Sequence, residues 1–154
     1  MRLRTLVGRL PGATLALTLL IAACLSVLEA PRAEAASLVA RIDLSEQRMR
    51  VYENGRQIAT WLVSTARRGY RTPTGTFRPG RMHERYFSRK YDNAPMPHAI
   101  FFHGGYAIHG TTAIKSLGQP ASHGCVRLHP DNARRLFALV KRHGKSNARI
   151  VITR

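Results

Sequence analysis

The sequence predicts a mainly β fold, a small β-sandwich or barrel with one α-helix packed on it in the C-terminal half. Three observations lead there. Short segments after residue 37 alternate apolar and polar side chains with a period of two, as half-buried strands do. Turn-forming glycine and asparagine residues separate them, and only Pro130 to Arg142 repeats its apolar residues at helical spacing. At 154 residues the chain has room for one such domain and a leader, not for two domains.

Leu38 to Asp43 and Arg48 to Tyr52 are the first two strands, joined by a turn over Asp43–Gln47. Asn54-Gly55 then favours a tight hairpin into a third strand, Gln57 to Ser64. That strand carries the only tryptophan, Trp61, read here as a core residue. Residues 65–75 are polar and rich in turn formers, and a strand is expected from about Thr76 to Met82. His83 to Pro97 mixes aromatics, charges and two prolines without periodicity, which reads as a long loop. Such loops in compact domains serve either as functional lids or as surface excursions. Ala99–His103 and Tyr106–His109, separated by Gly104-Gly105, form a hairpin that ends on His109. In the helix, Pro130 suits the first turn and Asp131 complements the N-terminus. Leu136, Leu139 and Val140 form its apolar stripe, and His143-Gly144 ends it before a closing strand, Ala148 to Thr153.

Residues 1–36 read as a secretory signal: Arg2, Arg4 and Arg9, an apolar run from about Ala13 to Leu28, then Ala33-Glu34-Ala35 as a cleavage site. The run is short for a membrane span, which wants roughly 20 apolar residues. Ile21-Ala22-Ala23-Cys24 inside it matches a lipoprotein signal, which would leave a lipidated Cys24. Soluble secretion, lipid anchoring and an uncleaved anchor all place residues 37–154 outside the cytoplasmic membrane, in the periplasm or cell envelope.

That remainder carries 21 basic and six acidic side chains, a net +15. Such a charge favours a polyanion or an anionic surface. Arginines outnumber lysines 21 to four across the chain, which a compositional bias of the genome would also produce. No nucleic-acid reader motif is present, and an acidic envelope polymer fits both charge and compartment. Cys125 is the only cysteine after the leader, so no internal disulfide can form. A lone thiol in an oxidising compartment is either buried and inert or kept for chemistry.

Its neighbours favour chemistry. Cys125 follows Ser122-His123-Gly124, and His109 lies sixteen residues upstream. A thiol becomes a good nucleophile as a thiolate, and a neighbouring imidazole is the usual base. His109, at the end of an apolar strand, is the expected base. No carboxylate is placed to orient it, so the backbone carbonyl of Gly110 is the candidate for that task. Backbone N–H groups of the Gly124–Cys125 turn are candidate oxyanion donors. His123 is either a helper of the thiol or a hydrogen-bonded structural residue. Arg127 suits a substrate carboxylate or is an ordinary surface arginine. His83, His98, His103 and His129 are read as structural, with His103 closest to the pocket. Two other classes compete with an enzyme. His109, His123, Cys125 and His129 have the ligand types of a zinc site, without its usual spacings. A non-catalytic basic module would bind an anionic polymer through its arginines alone.

At these residues the sequence resembles the L,D-transpeptidase catalytic domain (YkuD-type). The family signature is a histidine in an Ile-His-Gly context, a spacer, and Ser/Thr-His-Gly-Cys. Here it reads Ile108-His109-Gly110-Thr111, twelve residues from Gly110 to Ala121, then Ser122-His123-Gly124-Cys125-Val126-Arg127. Thr72-Pro73-Thr74-Gly75 and Met96-Pro97 look like the family too. The likeness spans about Leu38 to Thr153, so residues 37–154 are read as the catalytic domain. The resemblance implies a β-sandwich of mixed sheets with the cysteine at its cleft, no cofactor, and peptidoglycan stem peptides as substrate. It implies that Cys125 attacks the L-centre carbonyl of the diamino acid at stem position three and expels D-alanine. The thioester then passes its acyl group to an amine, on another stem peptide in a 3→3 cross-link or on an envelope protein, with a free D-amino acid or water as further acceptors. The family's base falls on His109 and the orienting carbonyl on Gly110; Ser122, Gly124 and Arg127 stand beside the substrate. Family members often carry asparagine two residues after the cysteine; this chain has Arg127 there, as many relatives do. Carbapenems acylate members of this family, so Cys125 is the expected site of a drug adduct.

Overall fold

In the computed structural model the described residues are 36–154; the expected secretory signal and the candidate lipidation at Cys24 lie outside them. Two mixed sheets enclose the core. One has the order β3-β2-β1-β11-β4, from β1 (Leu38–Asp43), β2 (Arg48–Glu53), β3 (Arg56–Leu62), β4 (Gly75–Phe77) and β11 (Ala148–Thr153). The other has the order β10-β9-β8-β5, from β5 (Met82–His83), β8 (Ala99–His103), β9 (Tyr106–Gly110) and β10 (Val126–Leu128). Each sheet has one parallel pair, β1 with β11 and β9 with β10; the other pairings are antiparallel.

Alternation along the strands builds the core. Leu38, Ala40 and Ile42 of β1, Met49 and Val51 of β2, and Ile150 and Ile152 of β11 meet Ile100 and Phe102 of β8, Ile108 of β9, and Val126 and Leu128 of β10. Trp61 joins them at 8% exposure, as a core residue should. The helix α1 (Pro130–His143) adds Ala133, Leu136, Phe137, Leu139 and Val140, and touches β1, β8 and β9. Its ends follow the expected chemistry: His129 Nδ1 accepts from Asp131 N–H, and Gly144, at φ +81°, donates its N–H to Val140.

Two expectations need correction, and one strand went unread. The strand expected over Thr76–Met82 is two strands in different sheets, with β4 on β11 and β5 on β8. Between them Pro79 has no N–H for a ladder, and Gly80 donates to Phe101 O at 2.7 Å where the chain crosses over. The loop over His83–Pro97 contains a small hairpin, β6 (Phe87–Ser88) paired with β7 (Ala94–Pro95), whose tip holds Asp92 and Asn93 at positive φ. The unread strand, β10, follows Cys125 directly, and Val126-Arg127-Leu128 is too short for a periodicity to stand out.

Candidate active site

The strand β9 has two environments because its side chains alternate. Ile108 enters the main core, whereas Ala107 and His109 face the opposite side of the sheet. The parallel partner β10 repeats this arrangement: Val126 and Leu128 face the core, while Cys125 and Arg127 face the side of His109. Register pairs Arg127 with His109 and Val126 with Ile108, which sets Cys125 beside Ala107 on the next strand. The sixteen-residue sequence gap between His109 and Cys125 thus closes across two hydrogen-bonded strands, with Cys125 two residues before Arg127, the register partner of His109.

His109, Cys125 and Arg127 line one cleft of about 800 Å³. Cys125 is partly exposed into it and packs on a small apolar cluster of Met96, Ala99, Phe101 and Ala107. Burial pushes its thiol pKa up, while the Ala107 backbone and the Arg127 guanidinium pull it down. His109 is 6% exposed, and burial lowers its pKa from 6.5 to about 4; the Gly110 carbonyl opposes that shift and the Arg127 charge adds to it. At neutral pH the resting pair is therefore an uncharged thiol and an uncharged imidazole. His109 Nδ1 lies 2.7 Å from Gly110 O, and a carbonyl can only accept. The proton must sit on Nδ1, so Nε2 keeps its lone pair.

The loop bearing the thiol is fixed by hydrogen bonds from several directions. Ser122, 1% exposed, donates from Oγ to Cys125 O at 2.6 Å and accepts from Gly124 N–H at 3.0 Å. The Gly124 N–H expected to serve an oxyanion is thereby committed within the loop, and Ser122 Oγ with it. Thr72, 3% exposed, donates to Gly124 O at 2.9 Å and accepts from Ala66 N–H at 3.1 Å. Thr65 O takes the N–H groups of Ala121 and Ser122, and Thr65 is itself gripped by both ends of the buried Gln47 amide. Gln47 and Thr65 escaped the sequence reading, since a polar residue in a turn gives no sign that it is buried. Gly124 takes φ +125°, and a Cβ there would collide with the Tyr106 ring and lie 2.8 Å from Arg71 O. At Gly110 a Cβ would stand 3.1 Å from Pro97 Cγ and 3.2 Å from Pro130 Cα, while its N–H donates to Pro97 O.

His123 has its own set of partners at the rim of the same cleft. Its Nε2 lies 2.8 Å from Arg67 Nη2, its ring stacks on Tyr91 at 4.6 Å, and Tyr70 meets it edge-on at 4.6 Å. Desolvation and the charges of Arg67, Arg127 and Lys90 lower its pKa. Arg127 is half-buried, with Nη1 directed at Ala121 O at 3.4 Å, and burial lowers its pKa. His129 serves as the helix cap instead of facing the thiol. Among the described residues no three or more His, Cys, Asp or Glu side chains converge as a metal set, so the zinc alternative finds no assembled ligands. His103 lies against Phe77 and Tyr106.

The L,D-transpeptidase catalytic domain family (YkuD) matches residues 37–152, and the chain belongs to that family. Similar solved structures include an L,D-transpeptidase from Mycobacterium smegmatis, 22% identical with a TM-score of 0.68, covering 77% of this chain and 59% of the other. The L,D-transpeptidase from Stackebrandtia nassauensis is 26% identical with a TM-score of 0.67, over 77% of this chain and 56% of the other. An L,D-transpeptidase in complex with imipenem is 22% identical with a TM-score of 0.66, over 76% and 59%. The chain therefore spans under two thirds of the length of these structures. A search of curated proteins gives no match.

Proposed function

We propose that this protein is a peptidoglycan L,D-transpeptidase using Cys125 as its nucleophile. One observation carries the reading: Cys125, directly ahead of β10, and a neutral, Gly110-oriented His109 on the neighbouring strand β9 open into the same cleft. His109 Nε2 removes the thiol proton as sulfur attacks the L-centre carbonyl of the diamino acid at stem position three. The Cys125 N–H is the donor left in that turn for the oxyanion. Collapse of the adduct breaks the peptide bond, and His109 returns the proton to the departing amine of D-alanine. The thioester then takes an amine acceptor, with His109 accepting the amine proton and giving it back to the sulfur. A second stem peptide yields a 3→3 cross-link, and an envelope protein yields wall anchoring. Export by the N-terminal signal, with or without lipidation at Cys24, puts this chemistry in the periplasm or cell envelope.

The test is incubation of the purified protein with tetrapeptide muropeptides, followed by product masses. Loss of the D-alanine mass and dimer formation are expected, with neither in Cys125→Ala nor in His109→Ala. Imipenem should add its mass to Cys125, in line with the imipenem-bound relative; an adduct elsewhere would contradict the nucleophile assignment.

A further inference from the structure

The cleft around Cys125 is lined by Arg71, Arg81, Arg89, Lys90 and Arg127, and by no aspartate or glutamate. These five cations come from separate segments: the connection before β4, the crossover before β5, the hairpin tip and β10. Among the described residues none of the five forms an ion pair. The six acidic side chains of residues 37–154 lie elsewhere. Glu53, Glu84 and Asp131 pair with cations of α1, and Glu46 pairs with Arg50. Asp43 caps its own turn through Ser45 and Glu46, and Asp92 sits at the hairpin tip outside the lining. A uniform arginine bias would raise the charge everywhere, but it would not sort the carboxylates away from one cleft. Like charges gathered without counter-ions raise the energy of the empty site, and an anionic ligand relieves that repulsion.

A stem peptide supplies such a ligand. Beyond the carboxylate of the leaving D-alanine, the diamino acid carries one on its D-centre, several bonds from the carbonyl under attack. Amidation at that centre removes a charge without touching the scissile bond. We propose that the cationic cleft is a carboxylate-reading donor subsite, selecting stem peptides whose diamino acid keeps a free D-centre carboxylate over those carrying a carboxamide there. The inference rests on the transpeptidase reading and names its donor.

The test compares tetrapeptide donors that differ only in that group, free carboxylate against carboxamide, with D-alanine release followed by mass. The free acid is expected to show roughly tenfold higher kcat/KM, as a charge-assisted hydrogen bond replaces a neutral one. Raising the salt from about 0.05 to about 0.5 M should narrow that ratio, because screening weakens exposed charge pairs. The exposed double substitution Arg89→Gln/Lys90→Gln should narrow it too. Equal kcat/KM for the two donors, or a ratio insensitive to salt, overturns the subsite while leaving the transpeptidase reading in place. Failure to release D-alanine from either donor overturns both.

Discussion

The proton inventory of the site rests on where single residues are buried. His109 becomes a weak base, with a pKa of about 4, because its ring is enclosed and the Arg127 charge stands nearby. A general base must be unprotonated, so kcat/KM should hold from neutral pH downward and fall as pH drops through about 4, well below the usual histidine range. A pH–rate profile of D-alanine release checks this. Arg127→Ala removes a charge that lowers both His109 and Cys125. Its acid limb should therefore move up, and thiol alkylation should need higher pH than in the unmodified protein. Thr72 acts one step further out, through Gly124. Thr72→Val strands the Gly124 carbonyl and the Ala66 N–H, which costs about 1–3 kcal/mol in a buried setting. Chemical denaturation should show that loss. The misplaced thiol should lower kcat more than it raises KM, and Thr72→Ser should restore most of both.

At the scale of elements, two glycines set how closely the strands of the proposed site meet their neighbours. Gly124→Ala must push aside the Tyr106 ring and adopt a φ of +125° that a side chain disfavours. It should cripple transpeptidation while leaving the fold's circular dichroism in place. Gly110→Ala meets proline backbone and ring at 3.1–3.2 Å, so a smaller loss is expected. In the hairpin over residues 84–96, Tyr91 stacks on His123, a contact between the hairpin and the loop that bears the thiol. Much of this level was legible beforehand. The β8–β9 hairpin and α1 announce themselves by alternation and by helical spacing with caps. β4 and β5 did not, because which sheet a strand of two or three residues joins depends on the partner edge presented to it, a fact of tertiary packing.

At the scale of the whole molecule, burying His109 couples the site to stability. Its unfolded pKa is near 6.5 and its folded one near 4, so the unfolded state binds the proton first. Stability is fully present above pH 6.5 and declines as pH falls toward 4, by up to about 3 kcal/mol at 1.36 kcal/mol per unit. Thermal unfolding should track that window, and His109→Asn should flatten it. The net charge of residues 37–154, +15, acts on a longer range. Retention on isolated cell walls should fall with salt and with neutralisation of arginines remote from the cleft; retention unchanged by either would remove charge as the localising force.

Composition and local order determined the strand-rich class, the helix, the lone thiol and the histidine proposed to serve it, because periodicity, caps and motif spacing are properties of neighbouring residues. Only the tertiary structure decided that Gly124 N–H and Ser122 Oγ are spent on holding the loop, that Thr72, Thr65 and Gln47 support it, and that the carboxylates are kept out of the cleft. Those outcomes depend on which groups lose water and which surfaces converge, and residues far apart in the chain settle that together.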